Sequence, residues 1–171
     1  MFVADLKAKS PCDGLLPRTI GTVEMTEVLP DGIWGVAALA GSSIGVPKAG
    51  RTQRTDDAVW HWTGPGQALV FGQAPEATGA AVTDQSDAWA VVEVRGVDSL
   101  DVLARLVPID LSPQVFKRGH TARTFVGHMT ASVTRTGADS FQVMVMRSMA
   151  GTLVHELSEA ATRVKGRRAL N

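Results

Sequence analysis

Trp34-Gly-Val-Ala-Ala-Leu-Ala-Gly41 and Trp89-Ala-Val-Val-Glu-Val-Arg-Gly96 share an order: tryptophan, a run of small or branched apolar residues, then glycine. Both runs are short, with glycine close by, and the second is rich in valine, so each reads as a strand. Two turn dipeptides, Thr63-Gly64 and Thr136-Gly137, follow them in the same order. The strands and the turns keep different offsets. An insertion after the second helix, in the stretch from Pro108 to Phe125, reconciles them. The chain therefore reads as two similar units, each of strand, helix or turn, then hairpin. Two such units can bury against each other faces that neither buries alone. The expected fold class is α+β, mainly antiparallel sheet with few helices, and Trp34 and Trp89 are expected at equivalent places.

Working outward, Val23 to Leu29 alternates apolar and polar residues, and Pro30-Asp31-Gly32 turns the chain into the first tryptophan strand. Proline presets its own backbone angle there and glycine supplies a positive one. Val59 to Trp62 and Gln67 to Phe71 flank Gly64-Pro65-Gly66 as a hairpin. Asp98 is placed to cap a helix carrying Leu100, Leu103, Leu106 and Val107, which Pro108 ends. Thr121 to Thr134 is long, with Gly127 in its middle, and predicts a bent or bulged strand. Phe141 to Met146 returns as a strand. Ser148 is the expected cap of a last helix striped by Met149, Leu153, Leu157, Ala160 and Val164. Lys165-Gly166-Arg167-Arg168 reads as a solvated basic tail. Residues 1–22, broken by Pro11, Gly14, Pro17 and Gly21, read as an irregular arm that is frayed or laid on a partner. Residues 23–171 form the expected single domain with two similar halves.

Composition excludes several function classes. Seventeen basic residues balance seventeen acidic ones among 171. A general nucleic-acid binder or a polybasic membrane-surface protein needs a surplus of cations. Met1 to Ser10 lacks the apolar core of a signal peptide, and no apolar run approaches the length that spans a bilayer. A cytoplasmic location is the expectation. The single Cys12 allows no internal disulfide and no zinc site built on several cysteines.

The search for chemistry returns little. His61, His120, His128 and His155 have no metalloenzyme spacing. His120 and His128 would share a strand face unless Gly127 breaks the register. Cys12 lies beside Asp13, which raises a thiol pKa rather than lowering it. Thr83-Asp-Gln-Ser-Asp87 is either a carboxylate pair or a turn whose side chains bind local N–H groups, and the turn is favoured. No Gly-x-Gly-x-x-Gly turn for a dinucleotide is present. The reading assigns no catalytic, cofactor-binding or metal-binding residue. Trp60 and Trp62 fall on one strand face with His61 opposite. In a chain without tyrosine they are core residues or interface anchors, and they are the interface candidates.

Several stretches together carry a family resemblance: Val59-Trp-His-Trp-Thr-Gly-Pro-Gly-Gln-Ala-Leu-Val70, Val82-Thr-Asp-Gln-Ser-Asp-Ala-Trp-Ala-Val-Val-Glu-Val-Arg-Gly96, Asp101-Val-Leu-Ala-Arg-Leu-Val-Pro-Ile-Asp-Leu111, Phe116-Lys-Arg-Gly119, and the strand and helix from Phe141 to Leu157. From about Leu29 to Ala161 the chain resembles the gamma subunit of heterotetrameric sarcosine oxidase, a family related to the folate-binding domain of glycine-cleavage aminomethyltransferases. The resemblance implies that α+β fold and a subunit without activity of its own. The parent complex demethylates sarcosine oxidatively to glycine, makes hydrogen peroxide and passes a one-carbon unit to tetrahydrofolate. FAD, FMN, NAD, tetrahydrofolate and zinc are implied for the partner subunits and none for this chain. The alternatives are a stand-alone folate-dependent aminomethyl or methyl transferase and the small subunit of an N-methylglutamate dehydrogenase. A folate-dependent protein of iron–sulfur maintenance would need a cysteine–tyrosine motif, and this chain has no tyrosine.

Overall fold

The computed structural model describes residues 7–42, 44–76 and 78–170. Among these residues eleven strands form two antiparallel sheets. The first sheet contains β1 (Arg18–Ile20), β2 (Val23–Glu27), β8 (Trp89–Arg95), β9 (Thr121–Val126), β10 (Met129–Arg135) and β11 (Ser140–Met146), in the order β1-β2-β8-β11-β10-β9. The second contains β3 (Ile33–Ala38), β4 (Thr52–Arg54), β5 (Ala58–Gly64), β6 (Gln67–Gly72) and β7 (Ala80–Asp84), in the order β4-β5-β6-β3-β7. The helices are α1 (Ser99–Leu103) and α2 (Ala150–Arg168).

The layers explain the patterning. Both helices pack on one face of the first sheet, where Val92, Val94, Val133, Phe141 and Val143 meet Val102, Leu103, Leu153 and Leu157. The other face of that sheet meets the second through a smaller cluster of Ile33, Leu69, Phe71, Val91 and Met144. The first sheet is thus covered on both faces, and β8 and β11 place Val91 and Met144 on the side of the pleat opposite Val92, Val94, Phe141 and Val143. Each fully buried Leu or Val contributes about 1.5–3 kcal/mol over leaving it exposed. The second sheet is covered on one face, so β5 alternates around the buried His61 with half-buried Trp60 and Trp62.

The two units are visible in the pairing. The ladder β3-β6-β5-β4 has its counterpart in β8-β11-β10-β9. The tryptophans are not equivalent within it. Ile33, beside Trp34, faces the first sheet, so Trp34 points outward opposite Val70. Trp89 packs into the cluster between the sheets. A register offset by an odd number of residues turns a side chain to the opposite face.

Other expectations are corrected locally. The stretch from Thr121 to Thr134 is not one bent strand but the hairpin β9–β10, with Val126 opposite Met129. Gly127 supplies the positive φ, 55°, that its two-residue turn requires. The irregular arm is partly ordered by the chain itself: β1 pairs with β2, and Cys12 is buried in the main core. Its residues 1–6 lie outside the described residues. Asp98 makes no side-chain cap on α1. Its carboxylate accepts instead from Thr22 Oγ1 at 2.8 Å and from Arg168 Nε and Nη2 at 3.0 and 2.8 Å. The basic residues read as a tail are the last turns of α2, fastened by these bonds, and Met149 rather than Ser148 occupies the cap.

Candidate functional site

The side chains singled out in the sequence do not converge. Trp60 and Trp62 lie half-buried on the outer face of β5, opposite Val70 and Ala68. No helix covers that face among the described residues, because both pack on the first sheet. Cys12 is buried, and its backbone N–H donates to Glu27 Oε1 at 2.8 Å. Burial first, then the Glu27 carboxylate, push its thiol up to about 11, so it stays protonated at neutral pH. Glu27, rather than the adjacent Asp13, is the carboxylate responsible. Of the Thr83–Asp87 knot, Thr83 and Asp84 end β7 and Ser86 and Asp87 open a 3-10 turn, in which Asp84 Oδ1 accepts from Ser86 N at 2.9 Å and from Ser86 Oγ at 2.6 Å. Those two bonds hold the Asp84 carboxyl below its ordinary value. Among the described residues, no three His, Cys, Asp or Glu side chains gather where they could hold a metal ion.

Among the described residues, the two larger cavities between the sheets are the candidates. The first, about 250 Å³, is bordered by Gly35, Thr63, Thr83, Gln85, Trp89 and Arg123. A Cβ at Gly35 would stand 2.4 Å from the Gln85 amide nitrogen, so a side chain there would have to displace that amide. Trp89 Nε1 donates to Gln85 Oε1 at 3.2 Å and holds that amide across the cleft.

The second cavity, about 200 Å³, lies where β4 and β9 stitch the sheets together. Thr52 N donates to Gly119 O at 2.8 Å and Thr121 N to Gly50 O at 3.0 Å across this seam. Its wall includes Arg54, His61, Arg118, Thr134, Thr136 and Gln142, and no Asp or Glu. His61 is 4% exposed and stacks at a tilt on Phe71, with centroids 4.5 Å apart. Its Nδ1 is 3.3 Å from Thr134 Oγ1, and Thr134 Oγ1 donates to Thr121 Oγ1 at 2.8 Å. With that hydroxyl proton already committed, His61 Nδ1–H is the donor and Nε2 keeps its lone pair. Among the described residues Nε2 has no partner, and neither has the buried Oγ1 of Thr136. Burial pushes the His61 imidazolium down to about 4, so the ring is neutral at pH 7.

The seam is electropositive. Arg54 and Arg118 form none of the ion pairs among the described residues. Nearby His120 is held below its ordinary value by burial and by Arg51 and Lys117. Arg135 also borders the cavity, but its guanidinium is turned to the helix-bearing face. It stacks 4.5 Å above Phe141 and donates from Nη1 to Ala138 O at 2.6 Å and from Nη2 to Leu111 O at 2.8 Å. The sequence reading treated His61 only as a bland histidine and did not flag Thr134, Thr136, Arg54 or Arg118. A signal was present: aligning the hairpins on Thr63-Gly64 and Thr136-Gly137 sets His61 at the place of Thr134.

No family model matches the chain, and no curated protein matches it in sequence. Solved structures do. One is heterotetrameric sarcosine oxidase from Corynebacterium sp. U-96 in complex with pyrrole 2-carboxylate, one chain of which is 20% identical. The match covers 92% of this chain and 96% of that one, with a TM-score of 0.79. The stacked antiparallel sheets with two helices on one outer face are therefore the fold of a chain of heterotetrameric sarcosine oxidase.

Proposed function

We propose that this chain is the gamma subunit of a sarcosine oxidase complex and contributes assembly rather than chemistry. The observation that carries the reading is the almost end-to-end likeness to a chain of such a heterotetramer, 92% of one chain against 96% of the other. In this reading the larger subunits hold FAD, FMN, NAD and tetrahydrofolate, a small one holds zinc, and the complex works in the cytoplasm. The two larger cavities between the sheets, about 250 and 200 Å³, fall below the roughly 300–1,000 Å³ of ordinary ligand pockets, and the concavity of about 530 Å³ beside Ser10, Met146 and Arg147 is an open surface one. The helix-free face of the second sheet is the proposed docking face. Trp60 and Trp62 on it are the large, partly exposed aromatics that fill a partner's pocket.

The test is co-expression with the two candidate large subunits. The full-length chain is expected to co-elute with them, and the chain purified alone to be colourless. Trp60→Ala and Trp62→Ala, made separately, are expected to retain a cooperative melt and to weaken co-elution by about 2 kcal/mol or more, the scale of an interface hot spot. A full-length chain that elutes apart from the large subunits at every concentration ends the assembly reading.

A further inference from the structure

The cavity at the seam has a chemistry that assembly does not use. Its two exposed guanidinium groups, Arg54 and Arg118, present planar forks that match oxyanions. No carboxylate lines it, so an ammonium group would meet two arginines and no counter-charge, which disfavours a zwitterionic amino acid. Buried polar atoms are almost always paired. Here three unpaired ones among the described residues, His61 Nε2, Thr136 Oγ1 and Arg135 Nε, belong to side chains of the same wall, and the Arg135 guanidinium is turned away from the cavity. Nε2 is a lone pair and needs a donor, whereas the arginines need acceptors. A ligand that satisfies all of them has negative oxygens at one end and an O–H at the other.

We propose that this cavity binds a small hydroxylated oxyanion, of the hydrogenphosphate or 2-hydroxydicarboxylate class. Arg54 and Arg118 take the charged oxygens, and His61 Nε2 accepts the ligand's O–H. Thr136 Oγ1 completes the shell. The cavity, about 200 Å³, has room for a group of that size and little more. The hydroxyl chain from Thr134 to Thr121 fixes the His61 tautomer and so fixes the preference for a ligand that donates. This inference is independent of the assembly reading, because the ligand meets only residues of this chain.

Matched probe pairs test it. The full-length chain, alone or with its co-eluting subunits, is titrated calorimetrically at pH 7 and constant ionic strength. The probes are inorganic phosphate against sulfate and malate against succinate, and glycine is the zwitterion control. Phosphate or malate is expected to saturate one site per chain. Its counterpart without the hydroxyl is expected to bind at least ten-fold more weakly, and glycine not at all. Which of the two saturates identifies the source of the shared chemistry. Arg118→Ala and Arg54→Ala alter exposed side chains and should each weaken binding at least ten-fold while the melt is unchanged. His61→Phe should bring the paired probes to equal affinity. The proposal is overturned if neither phosphate nor malate saturates, if sulfate or succinate binds as well as its partner, or if the arginine variants bind like wild type.

Discussion

His61 joins the fold to pH. Its folded value, about 4, lies below the 6.5 of an unfolded histidine because burial penalises the charged ring. Above pH 6.5 the ring is neutral in both states and costs nothing. As pH falls from 6.5 towards 4, the unfolded chain takes a proton that the folded chain refuses, and stability drops. The full span corresponds to about 3 kcal/mol, after which the loss levels off. Urea melts between pH 7 and 4, in buffers without phosphate, should show this slope, and His61→Gln should flatten it. A variant that keeps the wild-type slope would assign the loss to other groups. The Asp98 carboxyl acts lower on the scale. Its hydrogen bond from Thr22 and then its pairing with Arg168 hold it below its ordinary value, so its contribution is present at neutral pH and lost only in stronger acid.

Elements are set by places where one atom decides. Gly96 closes β8 at φ 129°, and a Cβ there would stand 1.8 Å from the Thr22 carbonyl oxygen. Both the backbone angle and the collision with main chain oppose any side chain. Gly96→Ala should destabilise the chain by at least about 2 kcal/mol in a chemical melt, the combined scale of backbone strain and overpacking. An unchanged midpoint would show that β2 yields to make room. Most of the strands were legible as apolar runs bounded by turns, but β1, β4 and β7 were not. The facing of the strands was not legible, and Trp34 and Trp89 illustrate the reason. A short apolar run carries little phase information, so the shared Trp-to-Gly pattern identified matching strands while the pairing partners Val70 and Met146 set which way each ring points. The β9–β10 hairpin was missed for a related reason: Gly127 signals both a bulge and a tight turn, and the pairing of Val126 with Met129 chooses the turn.

The whole molecule is three layers, sheet on sheet on helices, tied at the edges by chain segments that look irregular in sequence. Residues from Ser10 to β2 belong to this tie. Cys12 sits in the main core, Leu15, Leu16 and Ile20 pack against it, and Glu27 accepts from Ser10 Oγ at 2.6 Å. Deletion of residues 1–22 should therefore lower the melting midpoint of the chain itself, by several degrees or to the point of unfolding, and not merely weaken a partner contact. A truncated chain with an unchanged melt but lost co-elution would return the segment to the role of a docking arm. No helix among the described residues is long and apolar enough to cross a membrane.

The sequence by itself determined the fold class, the two related units and the order of their hairpins. These follow from local period, turn chemistry and repetition, which are written along the chain. Tertiary structure decided what those signals leave free. It folded the basic end of α2 onto Asp98, drew Cys12 into the core and brought His61, Thr136, Arg54 and Arg118 to one wall. Those four are spread from position 54 to position 136 of the chain, and each alone reads as an ordinary polar residue. Only the closure of one sheet on the other, which desolvates the His61 ring and leaves its Nε2 without a partner, makes them a site.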